Sequence, residues 1–203
     1  MQEQIIASLE PFDILLRNRP YSLTNWFIPG FFTHASIYLG DLTQLQEQTP
    51  EFPWQEMFNS EGEIIIESTR QGVAFNPVKQ FLNCDSLLVL RDPSLTPLQK
   101  KNIASNAIQE IGKKYEYGFN LTTPKKQFCA KLVVDLFQHI PFLDNLRDSP
   151  TILPDHIGSM ALMSNGNKLQ VIKFCINGIC LPQEKITSTL HEKLSSIFAQ
   201  PFR

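Results

Sequence analysis

The sequence predicts an α+β fold, in which a sheet packs against helices, on three observations. Polar and apolar residues alternate over residues 33–40, which is typical of a strand with two different faces. Three consecutive isoleucines beginning at Ile64 indicate a strand that is covered on both faces. Thr96 followed by Pro97 and Gln99 forms a capping box, which begins a helix.

The elements follow one another along the chain with clear boundaries. The strands are predicted over residues 12–16, 33–40, 63–68, 86–91 and 169–174, and residues 73–75 pair back on the third of these. The helices are predicted over residues 97–112, 128–139, 154–163 and 183–199, and residues 77–82 form a helical turn. Residues 41–62 contain two prolines and are read as an excursion from the core.

Composition limits the functions that this chain can have. A chain of 203 residues with 42% hydrophobic content fits one ordinary globular domain. Its 18 basic and 20 acidic residues give a net charge of -2 and form no long basic run, so we expect no nucleic-acid partner. No basic segment followed by a long apolar stretch marks Met1 to Glu10, so we expect a cytoplasmic protein, with delivery by a specialised secretion route left open.

The four cysteines are too few for a disulfide scaffold and include no Cys-x-x-Cys pair, so no metal or cofactor is predicted. Asn177-Gly178 is a strong hairpin signal, and a two-residue turn there places Cys175 opposite Cys180. A disulfide is geometrically conceivable in that register. We nevertheless expect free thiols, because nothing in the sequence indicates an oxidising compartment.

Cys129 is the strongest candidate for a reactive group. It begins a predicted helix, where the helix dipole and the unpaired backbone N–H groups favour a thiolate and stabilise an oxyanion. A buried, inert thiol on an apolar helix face is the alternative. His34 lies on a strand, where it could act as a proton acceptor. Glu67, on a neighbouring strand, could orient that imidazole, and Asp41 is the rival for this role.

Four motifs in order resemble those of the YiiX-like branch of permuted NlpC-type papain-fold enzymes, in which the histidine strand precedes the cysteine helix. The motifs are Asp13-Ile-Leu-Leu, Phe27-Ile-Pro-Gly-Phe-Phe-Thr-His34-Ala-Ser-Ile-Tyr-Leu-Gly40, Ile66-Glu67-Ser68 with Gly72-Val73, and Gly112-Lys-Lys-Tyr115 through Phe119 to Phe128-Cys129-Ala-Lys-Leu-Val133. They extend over residues 11–163. The resemblance implies a circularly permuted papain-like (NlpC-type) fold, with an antiparallel sheet packed against helices and the nucleophilic cysteine at a helix N-terminus.

Carried over by position, the resemblance implies that Cys129 is the nucleophile, His34 the general base and Glu67 the third member of the triad. Residues 1–182 would form the catalytic domain and residues 183–203 a helical tail. The chain departs from the family pattern directly after the cysteine. Ala130 and Lys131 stand where family members commonly have a serine and an acidic residue, which bears on substrate preference.

The function implied is a thiol hydrolase or amidase that acts on peptide-like amide or acyl bonds through a thioester. Tyr115 is expected to line the cleft or assist the oxyanion, and Phe32 and Phe128 to contact substrate. Three alternatives stay open: a lipid acyltransferase or phospholipase of the lecithin retinol acyltransferase type, a binding module without turnover, and a structural domain that binds partners through its tail. The aromatic loop at residues 21–32 would suit an acyl chain and peripheral membrane contact, and its exposure would distinguish lipid from peptide substrates.

Overall fold

Nine strands are present in the described part of the computed structural model, which comprises residues 2–19, 28–57, 62–143, 151–163 and 168–199. The strands are β1 (Ile14–Asn18), β2 (His34–Gly40), β3 (Ile64–Thr69), β4 (Gly72–Pro77), β5 (Ser86–Arg91), β6 (Lys114–Tyr115), β7 (Lys126–Gln127), β8 (Gln170–Ile176) and β9 (Ile179–Cys180). All the main strands predicted from the sequence are confirmed, with ends that shift by one or two residues.

Seven of these strands form one sheet in the order β4-β3-β2-β1-β5-β8-β9, and every neighbouring pair in it is antiparallel. The short strands β6 and β7 pair in parallel beside it. Because β2 lies between β1 and β3, residues of three strands that are distant in sequence come together at one end of the sheet. This mixed, antiparallel architecture confirms the predicted fold class.

The helices cover the sheet and connect its strands. They are α1 (Gln2–Ile6), α2 (Leu42–Gln48), α3 (Trp54–Met57), α4 (Val78–Phe81), α5 (Pro97–Glu110), α6 (Cys129–Leu136), α7 (Pro154–Met163) and α8 (Gln183–Ala199). The predicted capping box at Thr96 is confirmed, since its hydroxyl accepts the backbone N–H of Gln99. Among the described helices, none combines the length and the apolar character that crossing a membrane requires.

The sheet separates two hydrophobic clusters, because successive side chains of a strand point to opposite faces. The larger cluster packs α5, α6, α7 and α8 on the face that contains Leu16, Ile37 and Ile66. The smaller one packs α1 and α4 on the opposite face, against Leu15 and Tyr38. The continuous burial of Ile64, Ile65 and Ile66 in β3 follows directly from this two-sided covering.

The expectation of free thiols at the hairpin is wrong. Asn177 and Gly178 adopt φ values of 50° and 77° and form the predicted two-residue turn. In the register that follows, Cys175 lies directly opposite Cys180, and the two sulfurs form a disulfide. The pairing of the two strands is enough to bring the thiols together. The expectation of free thiols had rested instead on the redox compartment of the protein, about which the sequence carries little information.

Two further segments are more ordered or more tightly packed than their sequences indicate. The excursion between β2 and β3 contains α2 and α3, and Trp54 of α3 is fully buried. The tail helix α8 buries Ile186, Leu190 and Leu194 in the larger cluster, where it packs against α7. The tail therefore contributes to the core, and the division at residue 182 stays a prediction.

Candidate active site

His34 is the first residue of β2, and its imidazole lies between two of the groups that the sequence singles out. Its Nε2 is 2.6 Å from Oε2 of Glu67. The side chain of Cys129 is also close enough to raise the pKa of the ring. Since Nε2 is engaged by Glu67, Nδ1 is the ring nitrogen that remains for the sulfur. The structure thus brings together three residues that are far apart in the sequence.

Glu67 is held in place by β3 and β4. It lies opposite Ser36 of β2, and the side chain of Asn76 on β4 donates to its Oε1 at 3.0 Å. Burial by itself raises the pKa of the Glu67 carboxyl, but its hydrogen bond to His34, the charges of His34 and Arg17 and the bond from Asn76 together lower that pKa below its usual value. Glu67 is therefore ionised at neutral pH and accepts an N–H from the ring.

Cys129 is the first residue of α6, with Phe128 as the helix cap, and the first N–H groups of the helix have no partner within it. Its side chain is 1% exposed. Helix α6 packs across β2 and β3 and buries Leu132 and Val133, which fixes its N-terminus near His34. The position predicted from the sequence, at the N-terminus of a helix, is confirmed.

The pKa of His34 reflects both neighbours. Burial lowers it, but the hydrogen bonds and the charges of Cys129 and Glu67 have the larger combined effect and raise the pKa from 6.5 to about 9. The raised pKa makes the neutral ring a stronger base towards the Cys129 thiol, and the imidazolium that forms on proton transfer is stabilised by the sulfur on one side and the Glu67 carboxylate on the other. The site can therefore generate a nucleophile and keep an acid available beside it.

A buried polar network anchors the segment that leads into α6. Gln127 donates through its side-chain amide to Glu110 at 2.7 Å and to Asp135 at 2.6 Å. Its backbone carbonyl accepts from the Ser68 hydroxyl at 3.0 Å. Lys131, which departs from the family pattern, forms an ion pair with Asp135 at 2.6 Å and is itself buried. In this chain the unusual lysine therefore belongs to the support of the cysteine helix.

A second anchor precedes β2. The carboxylate of Asp155, at the start of α7, accepts the backbone N–H groups of Phe31 and Phe32, both at 2.6 Å. Gly30 has a φ of 114°, and a Cβ atom there would lie 2.4 Å from Asp155 Oδ2, so glycine is required. The two N–H bonds lower the pKa of Asp155, but burial has the larger effect and raises it to about 7. This contact fixes the chain immediately before His34.

An open cleft of about 440 Å³ lies beside the triad. His34 and Tyr115 line it, and three arginines, Arg17, Arg19 and Arg70, contribute to its walls. Burial and the nearby charge of Cys129 raise the pKa of Tyr115, so its hydroxyl is a proton donor at neutral pH. Cys129 itself does not line the cleft but interacts with both His34 and Tyr115, so it lies behind them.

The other predicted contact residues lie elsewhere. Phe32 and Phe128 are 0% and 1% exposed and belong to the larger hydrophobic cluster, so their contact with substrate stays a prediction. Of the aromatic loop, residues 21–27 lie outside the described residues, and these include Trp26 and Phe27. Phe31 is partly buried against the core and Phe32 is fully buried, and the lipid alternative stays a prediction.

Asp41, the rival for the orienting role, and two other histidines of the chain have partners of their own. The carboxylate of Asp41 caps α2 by accepting the N–H of Gln44 at 2.7 Å. His139 contacts Asp92 at 2.7 Å, and His156 accepts the N–H of Leu153. Within the described ranges, no group of three or more histidine, cysteine, aspartate or glutamate side chains is placed to hold a metal ion.

Sequence patterns do not single out Asn76 or the arginines of the cleft. Asn76 lies opposite Ile65 in the pairing of β3 with β4, and Ile65 and Glu67 share one face of β3. Extending the predicted pairing of residues 73–75 to residue 76 would therefore have placed the Asn76 side chain near Glu67. Arg17 lies opposite His34 in the pairing of β1 with β2, a register that the sequence does not fix. Arg70 lies in the turn between β3 and β4, where a polar residue carries no signal of its own.

Comparison with known proteins agrees with the motifs. The model of the permuted papain-like amidase enzyme, YaeF/YiiX, C92 family, matches residues 8–145, which is more than half of the chain. A solved structure described as the metalloprotein YiiX from Escherichia coli O157:H7 is 18% identical, with a TM-score of 0.47. The aligned region covers 65% of this chain and 66% of the YiiX chain. This chain therefore spans slightly less than two thirds of the length of that structure. No curated protein matches the chain.

Proposed function

Because this chain belongs to the permuted papain-like amidase family, we propose that it hydrolyses amide bonds through a thioester on Cys129. The observation that carries the proposal is the imidazole of His34, which lies 2.6 Å from the carboxylate of Glu67 and whose pKa is raised by the adjacent Cys129 side chain. Acyl transfer by a cysteine requires a nucleophile beside a base, and a third group that orients the base.

In the proposed reaction, His34 takes the proton of the Cys129 thiol, and the sulfur attacks the carbonyl carbon of an amide. The resulting oxyanion lies near the N-terminus of α6, whose free backbone N–H groups donate to it. Tyr115 donates a further hydrogen bond to the oxyanion, a role that its position on the cleft wall and its interaction with Cys129 support.

The C–N bond then breaks, and the amine leaves with the proton that His34 returns to its nitrogen. Water attacks the thioester with His34 as base, which releases a carboxylic acid and restores the thiol. Because Cys129 is 1% exposed, a side chain at the floor of the cleft has to move before the carbonyl reaches the sulfur. Glu67 keeps the ring oriented throughout.

A panel of acyl and peptide p-nitroanilides tests the proposal. We expect Cys129→Ala to lower the release of p-nitroaniline by at least about 10³-fold, since the nucleophile is lost. Cys84→Ala is the matched control and should change the rate less than about twofold, because burial is the main effect that raises the pKa of Cys84 to about 11 and keeps it a thiol.

The acyl-enzyme gives an independent readout. Rapid acid quenching followed by peptide mass spectrometry should find the acyl group on Cys129 and not on Cys84. Undiminished turnover in Cys129→Ala would contradict the proposal. So would the absence of both turnover and acylation across the panel, which would instead favour a binding module without catalysis.

A further inference from the structure

The geometry points to an anionic group, a carboxylate or a phosphate, on the substrate, bound by Arg17 and Arg70 in the cleft beside His34. This inference rests on the proposed hydrolysis and adds a substrate class to it. The described residues that line the cleft include three arginines and, among those same residues, no aspartate or glutamate. The chain as a whole carries a net charge of -2, so this local excess of positive charge is not a general property of the molecule.

Arg17 lies at the reacting end of the cleft. It is directly opposite His34 in the pairing of β1 with β2, so both side chains point to the same face. Its Nη1 donates to the backbone carbonyls of Gln80 and Phe81 at 3.3 and 3.0 Å, and its guanidinium carbon lies 4.3 Å from the centre of the Phe81 ring. These contacts hold the guanidinium in place through one of its nitrogens and one of its faces.

The nearby carboxylate does not neutralise this arginine by direct contact. Both oxygens of Glu67 are occupied, one by His34 and the other by Asn76. Burial lowers the pKa of Arg17 most, the negative charge of Glu67 raises it, and the positive charge of Arg19 lowers it by a smaller amount. An arginine remains charged in spite of the lowered pKa, so Arg17 can pair with a substrate anion that enters the cleft.

Arg70 lies on another wall of the same cleft, in the turn between β3 and β4. This turn is fixed by Gly72, whose φ is 109° and which has no room for a Cβ, since the carbonyl of Lys113 would be 2.6 Å away. The positive charge of Arg70 acts on Tyr115. Among the described residues, no carboxylate forms an ion pair with it. An exposed arginine that lies on a fixed turn and has no counter-ion among the described residues suits an incoming anion.

Three probes with the same acyl chain test the inference. They are an N-acyl amino acid, its neutral carboxamide and the corresponding N-acyl ethanolamine phosphate. Wild type should cleave the two anionic probes with higher kcat/KM than the neutral one. Whichever anion is preferred identifies the source of the charge, a carboxylate or a phosphate. Equal kcat/KM for all three would overturn the inference and leave the proposed hydrolysis intact.

Arg70→Gln should lower kcat/KM for the preferred anionic probe about 10- to 100-fold, because a charge-assisted hydrogen bond is lost. The neutral probe should change less than about threefold. Lys185→Gln removes one exposed positive charge on α8 and is the matched control, which should change neither probe. Since Arg70 is exposed, its replacement should leave folding unchanged, and Arg17→Gln is compared only after its circular dichroism matches wild type.

Binding separates this inference from the proposed reaction. Calorimetric titration of Cys129→Ala with the anionic and neutral probes measures recognition without turnover. Anion-selective binding that Arg70→Gln weakens, in a protein without hydrolysis, would support the inference and overturn the proposed reaction. Absence of both selective binding and hydrolysis would overturn both.

Discussion

At the scale of single residues, the site depends on a balance around one imidazole. Burial lowers the pKa of His34, whereas its contacts with Cys129 and Glu67 raise it, and the second influence is the larger. The charge of the ring is therefore a property of the assembled triad. Without Cys129 and Glu67 beside it, a buried histidine at this position would not have a raised pKa.

This balance predicts how stability depends on pH. The folded-state pKa of His34, about 9, lies above the ordinary value of 6.5. The stabilisation from the imidazolium is therefore fully present below 6.5 and is lost as the pH rises through about 9. We expect the gap in unfolding free energy between wild type and His34→Gln to narrow between about pH 6 and about pH 10, measured by urea denaturation.

His191→Gln, which replaces an exposed histidine on α8, is the control for the general effect of pH on a histidine variant. Nuclear magnetic resonance of labelled histidine gives the direct check. In Cys129→Ala the pKa of His34 should fall, because the hydrogen bond and the charge of the sulfur are lost while burial remains. A His34 pKa at or below the ordinary value in wild type would contradict this account.

At the scale of elements, α8 is part of the core even though it follows the family match. Its apolar residues recur at positions 186, 190 and 194, one face of a helix, and that face is buried in the larger cluster, where α8 packs against α7. Gly158 of α7 lies where Leu194 approaches, with 3.4 Å between the Leu194 side chain and an added Cβ. This is an ordinary packing distance, so α7 and α8 are in close contact at this position.

Leu190→Ala tests this packing. Leu190 is 0% exposed, so its truncation should lower the unfolding free energy by about 2 to 5 kcal/mol. Thr187→Ala, on the exposed face of the same helix, should change it by less than about 0.5 kcal/mol. Chemical denaturation measures both variants. A Leu190→Ala protein as stable as wild type would mean that α8 is only loosely attached.

At the scale of the whole molecule, the sheet separates the site from the disulfide hairpin. Three neighbouring strand pairs lie between β2, which carries His34, and β8, which carries Cys175. At about 4.8 Å for each pair, the two features are about 14 Å apart across the sheet. Features at this separation with no shared partners are expected to act independently.

The double variant Cys175→Ala with Cys180→Ala should therefore lose stability without losing activity. The bridge has a sequence separation of 5, so loop-closure entropy gives it only about 2 kcal/mol of unfolding free energy. The rate of p-nitroanilide hydrolysis should change less than about twofold. Wild type in the presence of dithiothreitol is the control, since reduction should shift its urea midpoint in the same direction. A loss of activity of more than about tenfold would show that hairpin and site are coupled.

Much of the site can be read from local pattern, because each local signal has a local cause. The capping box at Thr96 and the turn at Asn177-Gly178 depend on a few adjacent residues, and the structure contains both. The placement of Cys129 at the first turn of α6 follows from helix periodicity in the same way. The motifs around His34, Glu67 and Cys129 follow one another in the order typical of the family, and that order is enough to identify it.

The sequence by itself determined the elements, the family and the three candidate reacting groups, since these depend on neighbouring residues or on motifs in a fixed order. Only the tertiary structure decided which side chains join them. Asn76 reaches Glu67, and Arg17 and Arg70 reach the cleft beside His34, through strand register and a turn between strands. Register arises from the packing of both sheet faces at once, so no local stretch of sequence encodes it.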